Sequence, residues 1–336
     1  MHKVLVTGGA GFIGSNLIEY LLDHTDDFIV NLDALTYAAD KDFAQQFTHE
    51  RLTFVHGDIC DVSLVKSLFD THKFDRVYHL AAESHVDNSI ASPEVFVQTN
   101  VNGTFNLIHQ AYQCWMDSPH QFKKGFSKAK FLHVSTDEVY GSLSDEGFFT
   151  ENTPYNPSSP YSASKAASDH LVMSYGHTYG LPVVITNCSN NYGPRQHDEK
   201  LIPVIVRHAL NGEAIPIYGD GKNVRDWLYV MDHCRGLHRV MESSAAADSF
   251  NIGGHNEIKN IEIAHQICSL LDRINPRKDG LSYASQITYV TDRPGHDYRY
   301  AIDATKMKVA LDWLPQETFN TGIEKTIKWY LNKYTS

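Results

Sequence analysis

The 336 residues are long enough for one large domain or two modest ones, and 42% apolar with 21% charged residues is ordinary globular composition that excludes long disorder. Lysine and arginine number 29 against 40 acidic residues, a formal charge of −11. With no run of basic residues to offset that charge, nucleic acid is excluded as the main partner. From the N-terminus, β-branched runs at 3–6, 28–32, 52–55, 76–80, 130–134 and 183–186 alternate with helical-period segments such as 12–22 and 62–69. This spacing predicts a doubly wound parallel sheet, an α/β Rossmann architecture. A longer segment, 93–115, sets Val97, Val101, Phe105, Ile108, Tyr112 and Trp115 on one stripe, for the sheet or for another subunit. After about Asn187 turn signals crowd together, so a smaller α+β lobe is expected there, closed by a helix near 321–331. The division is residues 1–186 for a dinucleotide-binding domain with the catalytic groups and 187–336 mainly for a substrate lobe, with some chain crossing back.

The first strand runs into Gly8-Gly9-Ala10-Gly11-Phe12-Ile13-Gly14, a glycine turn that opens a helix. Such glycines let the backbone approach a diphosphate at a helix N-terminus. The next strand ends at Asp33, nineteen residues past Gly14, where a carboxylate binds the adenosine ribose hydroxyls and repels a 2′-phosphate. No arginine follows before Arg51, so NAD is expected rather than NADP. Asp58 and Ala81-Ala82 follow the third and fourth strands, where an open sheet presents its carboxyl ends to ligand, although Asp58 also suits a helix N-cap.

Tyr-x-x-x-Lys occurs at Tyr37/Lys41, Tyr161/Lys165 and Tyr218/Lys222. Only the second opens a helical stretch; there the two side chains share a face, and an ammonium beside a phenol lowers the phenol pKa. Ser135-Thr136-Asp137-Glu138 follows an apolar run. Its adjacent carboxyls face opposite ways on a strand and reach one site only if the strand has already ended. In a cleft the pair would supply an acid and a base; elsewhere it is a solvated loop or a cap.

These segments, together with Leu80-Ala81-Ala82-Glu83-Ser84-His85-Val86-Asp87, Asn187-Cys188-Ser189-Asn190-Asn191-Tyr192-Gly193-Pro194, Arg225-Asp226-Trp227 and Asp292-Arg293-Pro294-Gly295-His296, resemble the dTDP-glucose 4,6-dehydratase family. That family is a branch of the extended short-chain dehydrogenase/reductase superfamily, and the resemblance spans residues 3–331. The glycine loop and Tyr-x-x-x-Lys mark the superfamily; Thr136-Asp137-Glu138 and residues 292–296 select the branch. The resemblance implies that Tyr161, with Lys165, takes the sugar 4-hydroxyl proton while hydride passes to NAD. Glu138 then takes the C5 proton, Asp137 protonates the departing 6-hydroxyl, and Thr136 binds the 4-oxygen. It implies cofactor contacts at Gly8, Gly11, Phe12, Ile13, Gly14, Asp33, Ala34, Leu35, Thr36, Asp58, Ile59, Ala81, Ala82, Thr99, Tyr161 and Lys165. Nucleotide-sugar contacts are implied at Ser84, Thr136, Asn190, Lys200, Leu201, Pro216, Ile217, Tyr218, Arg225, Asn260, Asp292, Arg293, Pro294, Gly295 and His296. Arg225 and Lys200 suit a diphosphate in an otherwise acidic protein. A homodimer is implied through the 93–115 stripe and the helix after Tyr161. The chain departs from the family pattern at Asn88, at 195–198 and at Tyr298.

A sugar-nucleotide 4-epimerase needs the tyrosine, lysine and NAD but no elimination pair, so Asp137-Glu138 favours dehydration; a UDP-sugar dehydratase stays open. A dinucleotide-sensing regulator on the same fold would have little need of Tyr161 and Lys165. The 19 histidines include no His-Glu-x-x-His spacing, and no catalytic metal is expected. Five widely spaced cysteines without Cys-x-x-Cys suit reduced thiols. With apolar runs far below the ~20 residues of a membrane span and no leader-like start, a cytoplasmic enzyme that binds no membrane is expected.

Overall fold

The computed structural model describes residues 1–292 and 297–335. Seven strands form one sheet in the spatial order Asp248–Ile252, Val183–Cys188, Lys130–Thr136, Arg76–His79, Lys3–Thr7, Phe28–Asp33, Leu52–His56, with every neighbouring pair parallel. Both faces are covered, which is why these strands read as unbroken apolar runs. Val4, Val6, Ile29, Leu132 and Val184 pack towards the helices Phe12–His24 and Val230–Glu242. Leu5, Val30, Val77, Phe131 and Val183 pack towards Val62–His72, Thr104–Trp115 and Pro160–Tyr179.

The helix Pro160–Tyr179 has clear ends. Ser159 and Ser162 form a reciprocal capping box, Pro160 occupies the first turn, and Gly180 closes the helix at φ 68°.

The 93–115 stripe is a correction to the sequence reading. The segment is not one regular helix: Pro93–Phe96 passes into a wide-turned π segment, Val97–Gly103, before Thr104–Trp115. The wide turns shift the helical phase. Ile108 and Trp115 are therefore buried, whereas Val97 and Phe105 stay 52% and 47% exposed.

Beyond the sheet, Asn190–Tyr192 runs parallel to Val224–Tyr229, whose other edge pairs antiparallel with Glu257–Lys259. Ile215–Tyr218 pairs with Ile287–Val290. The helices Leu201–Asn211, Asn260–Ile274 and Phe319–Thr335 close a second core around Tyr192, Ile205, Ile267 and Ile327. Two elements from the second half return to the large sheet: Val230–Glu242, which packs on Phe12–His24, and the edge strand Asp248–Ile252. Among the described residues no helix is long and apolar enough to cross a membrane, and no cluster of three or more His, Cys, Asp or Glu could hold a metal ion.

Candidate functional site

The crevice opens at the carboxyl ends of the strands, beside Lys3–Thr7, where the strand order reverses. Gly8 turns the chain there at φ +71°; a Cβ on it would lie 2.7 Å from the Ala81 nitrogen. A Cβ on Gly14 would strike the Gly8 carbonyl oxygen at 2.2 Å. Gly11 caps the helix Phe12–His24 without a side chain, so nothing on it covers the first-turn N–H groups. Asp33 ends the second strand, and its carboxylate accepts hydrogen bonds from Ala10 N–H at 2.9 Å and Leu35 N–H at 2.8 Å. Burial pushes the Asp33 pKa up, and those two N–H groups pull against it. Arg51 points elsewhere, donating to the carbonyls of Leu22, Thr25 and Asp27. A diphosphate cradle that a Cβ would fill, followed by an oriented carboxylate, fits a dinucleotide without a 2′-phosphate.

One cleft of about 360 Å³ brings together Gly8, Gly11, Phe12, Ile13, Gly14, Asp33, Ala34, Thr36, Asp58, Ile59, Ala81, Ala82, Ser84 and Thr99. The same cleft continues to Thr136, Asp137, Glu138, Tyr161, Lys165, Asn190 and Lys200. Asp58 is not the helix cap; Asp61 is, accepting from the N–H groups of Ser63 and Leu64, while Asp58 accepts from Cys60 N–H. Leu35, Leu201, Pro216, Ile217, Tyr218, Arg225, Asn260 and Asp292 stand outside this lining. Leu35 donates to Asp33 from a left-handed turn, Leu201 opens the helix after Lys200, and Asn260 opens Asn260–Ile274 with its buried Oδ1 unpartnered. Pro216, Ile217 and Tyr218 lie on Ile215–Tyr218, and a Cβ on neighbouring Gly219 would meet the Asp292 carboxylate at 2.9 Å. Arg293, Pro294, Gly295 and His296 lie outside the described residues. The cleft is also lined by Glu83, Cys188, Gln196, His197 and Glu199, which residue-type reasoning passed over although Glu199 adjoins Lys200.

The strand Lys130–Thr136 ends at Thr136, whose hydroxyl accepts the Glu138 N–H at 3.2 Å and caps the tight turn Asp137–Tyr140. Strand alternation therefore stops one residue before the acidic pair, and both carboxyls reach the same cleft. Asp137 is 2% exposed; Oδ1 accepts from the Thr136 hydroxyl at 3.4 Å, and Oδ2 is buried without a partner. Burial holds its pKa well above the usual carboxylate range, with the Glu138 and Asp226 charges adding and Arg225 opposing. Asp137 thus keeps its proton where an ordinary aspartate has lost it.

Tyr161 is buried in the first turn of its helix, and one turn on Lys165 Nζ donates to the Val134 carbonyl at 2.9 Å. The Tyr-x-x-x-Lys spacing does not lower the phenol in this structure, a correction to the spacing argument. Burial, then the Glu138 and Cys188 charges, hold the phenol well above its ordinary value, and a Thr136 hydrogen bond opposes them. Desolvation outweighs one ammonium when both groups are buried.

Arg225 is preset. Its guanidinium donates to the carbonyls of Val224, Asp297 and Tyr298 and lies 4.4 Å from the Tyr300 ring centre. Two departures from the family pattern hold the fold together instead: Arg195 binds Ser15, Asn16 and Glu19 on the first helix, and Asp198 accepts from Lys333 and Tyr334.

The family model described as GDP-mannose 4,6 dehydratase matches residues 5–326. The chain is 53% identical over 340 residues to dTDP-glucose 4,6-dehydratase 1 of Escherichia coli K12, covering 98% of this chain and 93% of that one. It is 53% identical over 336 residues to dTDP-glucose 4,6-dehydratase of Xanthomonas campestris pv. campestris strain B100, covering 100% and 95%. A dTDP-glucose 4,6-dehydratase from Streptomyces venezuelae, solved with NAD and TYD bound, superposes with a TM-score of 0.87 at 43% identity, covering 99% and 98%. UDP-glucose 4-epimerase from Thermotoga maritima, solved with UDP-glucose, gives 0.85 at 26% identity, covering 99% of each chain.

Proposed function

The chain belongs to the GDP-mannose 4,6 dehydratase family, within the extended short-chain dehydrogenases/reductases, and from that premise we propose how its cleft dehydrates dTDP-glucose. The reaction is NAD-dependent conversion of dTDP-glucose to dTDP-4-keto-6-deoxyglucose with loss of water. The observation that carries the residue assignment is the turn after Thr136, which sets proton-holding Asp137 beside Glu138 in the cleft of Tyr161 and Lys165. Bound NAD⁺ accepts the C4 hydride and later returns it to C6. Tyr161, as the phenolate that the Lys165 ammonium would stabilise against burial, takes the 4-hydroxyl proton and becomes neutral, and Thr136 binds the 4-oxygen. The C4 ketone acidifies C5; Glu138 takes that proton while Asp137 protonates the 6-hydroxyl, which leaves as water. Glu138 returns its proton to C5 as C6 is reduced.

The cofactor cradle runs from Gly8 to Gly14 with Asp33, Ala34, Leu35, Thr36, Asp58, Ile59, Ala81, Ala82 and Thr99. Ser84, Asn190, Lys200, Leu201, Pro216, Ile217, Tyr218, Arg225, Asn260 and residues 292–296 hold the nucleotide sugar. Residues 1–186 serve as the NAD domain and 187–336 mainly as the sugar-nucleotide lobe. A homodimer is proposed, supported by Ile90, Val95, Val97 and Phe105, all large apolar residues more than 40% exposed. Sedimentation of a monomer at micromolar concentration would contradict it. A cytoplasmic setting is proposed from the five cysteines, each a free thiol.

The test is incubation with dTDP-glucose and, in parallel, UDP-glucose. A 4-keto-6-deoxy product from the thymidine substrate is expected; a C4 epimer would make the chain an epimerase, and no turnover a non-catalytic binder.

A further inference from the structure

The helix Pro160–Tyr179 carries a third ionisable group below Tyr161 and Lys165. Asp169 follows Lys165 by four residues, so the three side chains descend one stripe, and all three are buried. His133, from the strand Lys130–Thr136, stands between the lower two. Its Nε2 is 3.2 Å from Asp169 Oδ1 and 3.4 Å from Lys165 Nζ, and Ser168 Oγ is 3.3 Å away. Among the described residues neither His133 Nδ1 nor Asp169 Oδ1 has a hydrogen-bond partner, so the approach of Nε2 to Oδ1 is a close contact between buried groups. Asp169 Oδ2 accepts from Ser135 Oγ at 2.7 Å and from Tyr155 OH at 3.0 Å. Neither Asp169 nor His133 lines the cleft. A buried carboxylate with this many donors is costly to install unless it balances a charge.

We propose that Asp169, acting across the neutral His133 ring, is the counter-charge that keeps Lys165 an ammonium ion, making it a positioning residue for proton removal by Tyr161. The inference rests on Tyr161 being the base. Lys165 is fully buried and desolvation drives its pKa down; the Asp169 charge is the largest opposing effect, followed by Cys188. A neutral Lys165 would leave the Tyr161 anion without its adjacent ammonium.

Several groups face this stripe. His133 and His79 have ring centres 5.0 Å apart, and burial pushes both well towards the neutral form. Thr7 and Thr104 hydroxyls hold His79 from either side. Ser135 and Tyr155 donate to Asp169, Asn187 lies beside it, Tyr140 faces it from the tight turn, and Cys188 faces Lys165. Burial lifts the Asp169 pKa to about 6 against the pull of Lys165 and those donors. The counter-charge is therefore present above that pH and vanishes as pH falls through it.

The experiment uses Asp169→Asn, which keeps the shape and removes the charge. The probe is dTDP-6-deoxyglucose, which has a 4-hydroxyl to oxidise and no 6-hydroxyl to expel. Cofactor reduction in a single turnover is followed from roughly pH 5 to pH 9, a range that brackets a raised carboxyl. The unsubstituted protein should lose rate on the acid side with an inflection near 6. Asp169→Asn should lack that inflection and stay at the acid-limit rate throughout, ~10²-fold down at neutral pH. A variant that is slower at every pH but keeps the inflection, or one as fast as the parent, would overturn the proposal. Should Asp169→Asn fail to fold, Tyr155→Phe removes one donor from the carboxylate, and the inflection should move to higher pH; an unmoved inflection overturns the proposal equally. Tyr161→Phe is measured alongside. If it still reduces the cofactor, the base assignment fails; if it does not while Asp169→Asn behaves as the parent, only the role of Asp169 fails.

Discussion

Tyr161 and Lys165 ride on a regular capped helix, whereas Asp137 and Glu138 sit where a strand has just stopped being one. The first pair owes its placement to helical periodicity, with Asp169 and His133 packed beneath it. The second owes its placement to one hydroxyl, Thr136 Oγ1, which accepts the Glu138 N–H and turns two neighbouring carboxyls into one cleft. Periodic placement keeps the proposed base and its ammonium at fixed spacing. A capped turn instead lets an acid and a base act on adjacent carbons of one substrate. On the proposed reading, oxidation and elimination use two separately built sets of groups that meet in one cleft.

Substitutions that strike one set only should break this division most clearly. Tyr161→Phe should have the largest effect, because it removes the proposed first proton acceptor: cofactor reduction and dehydration should both fall, by ~10³–10⁴. Glu138→Gln should reduce dehydration by ~10²–10⁴ yet leave cofactor reduction in place, so reduced nicotinamide accumulates on the protein. Asp137→Asn should show the same separation, since the amide keeps the shape and cannot donate the proton. The pH dependence sharpens the contrast. If Asp137 is the acid, as proposed, then because burial raises its pKa dehydration should decline as pH rises through that raised value. Cofactor reduction should instead decline on the acid side.

The smallest effect is expected at the cofactor end. Asp33→Asn removes the charge that repels a 2′-phosphate, and the preference for NAD⁺ over NADP⁺ in reactivating cofactor-free protein should fall by about tenfold, the weight of one charge-assisted hydrogen bond. An unchanged preference would place cofactor selection elsewhere.

What could be read from residue order follows the same division. The parallel strands were legible because both sheet faces are buried and the runs are β-branched. Asp33 was legible because the spacing from glycine loop to ribose is set by one βαβ unit. Asp137 and Glu138 could be singled out, but their convergence depends on where the strand ends, which Thr136 decides through a hydrogen bond that leaves no periodic trace. The edge strand Asp248–Ile252 was missed because only Phe250 and Ile252 in it are buried apolar residues, flanking Asn251, whose N–H donates to Glu151 Oε1 and whose side chain accepts from Tyr140 OH. The 93–115 stripe misled because seven residues of π turns rotate the helix midway. The lowered phenol pKa expected from Lys165 failed because spacing carries no information about desolvation.

The most direct test of two separate sets of groups is a single turnover of Glu138→Gln on dTDP-glucose, with nicotinamide absorbance and sugar product followed together. Reduction of the bound cofactor at close to the parent rate, without appearance of 4-keto-6-deoxy sugar, is the predicted result. Dehydration at the parent rate, or loss of cofactor reduction to the level of Tyr161→Phe, would contradict it.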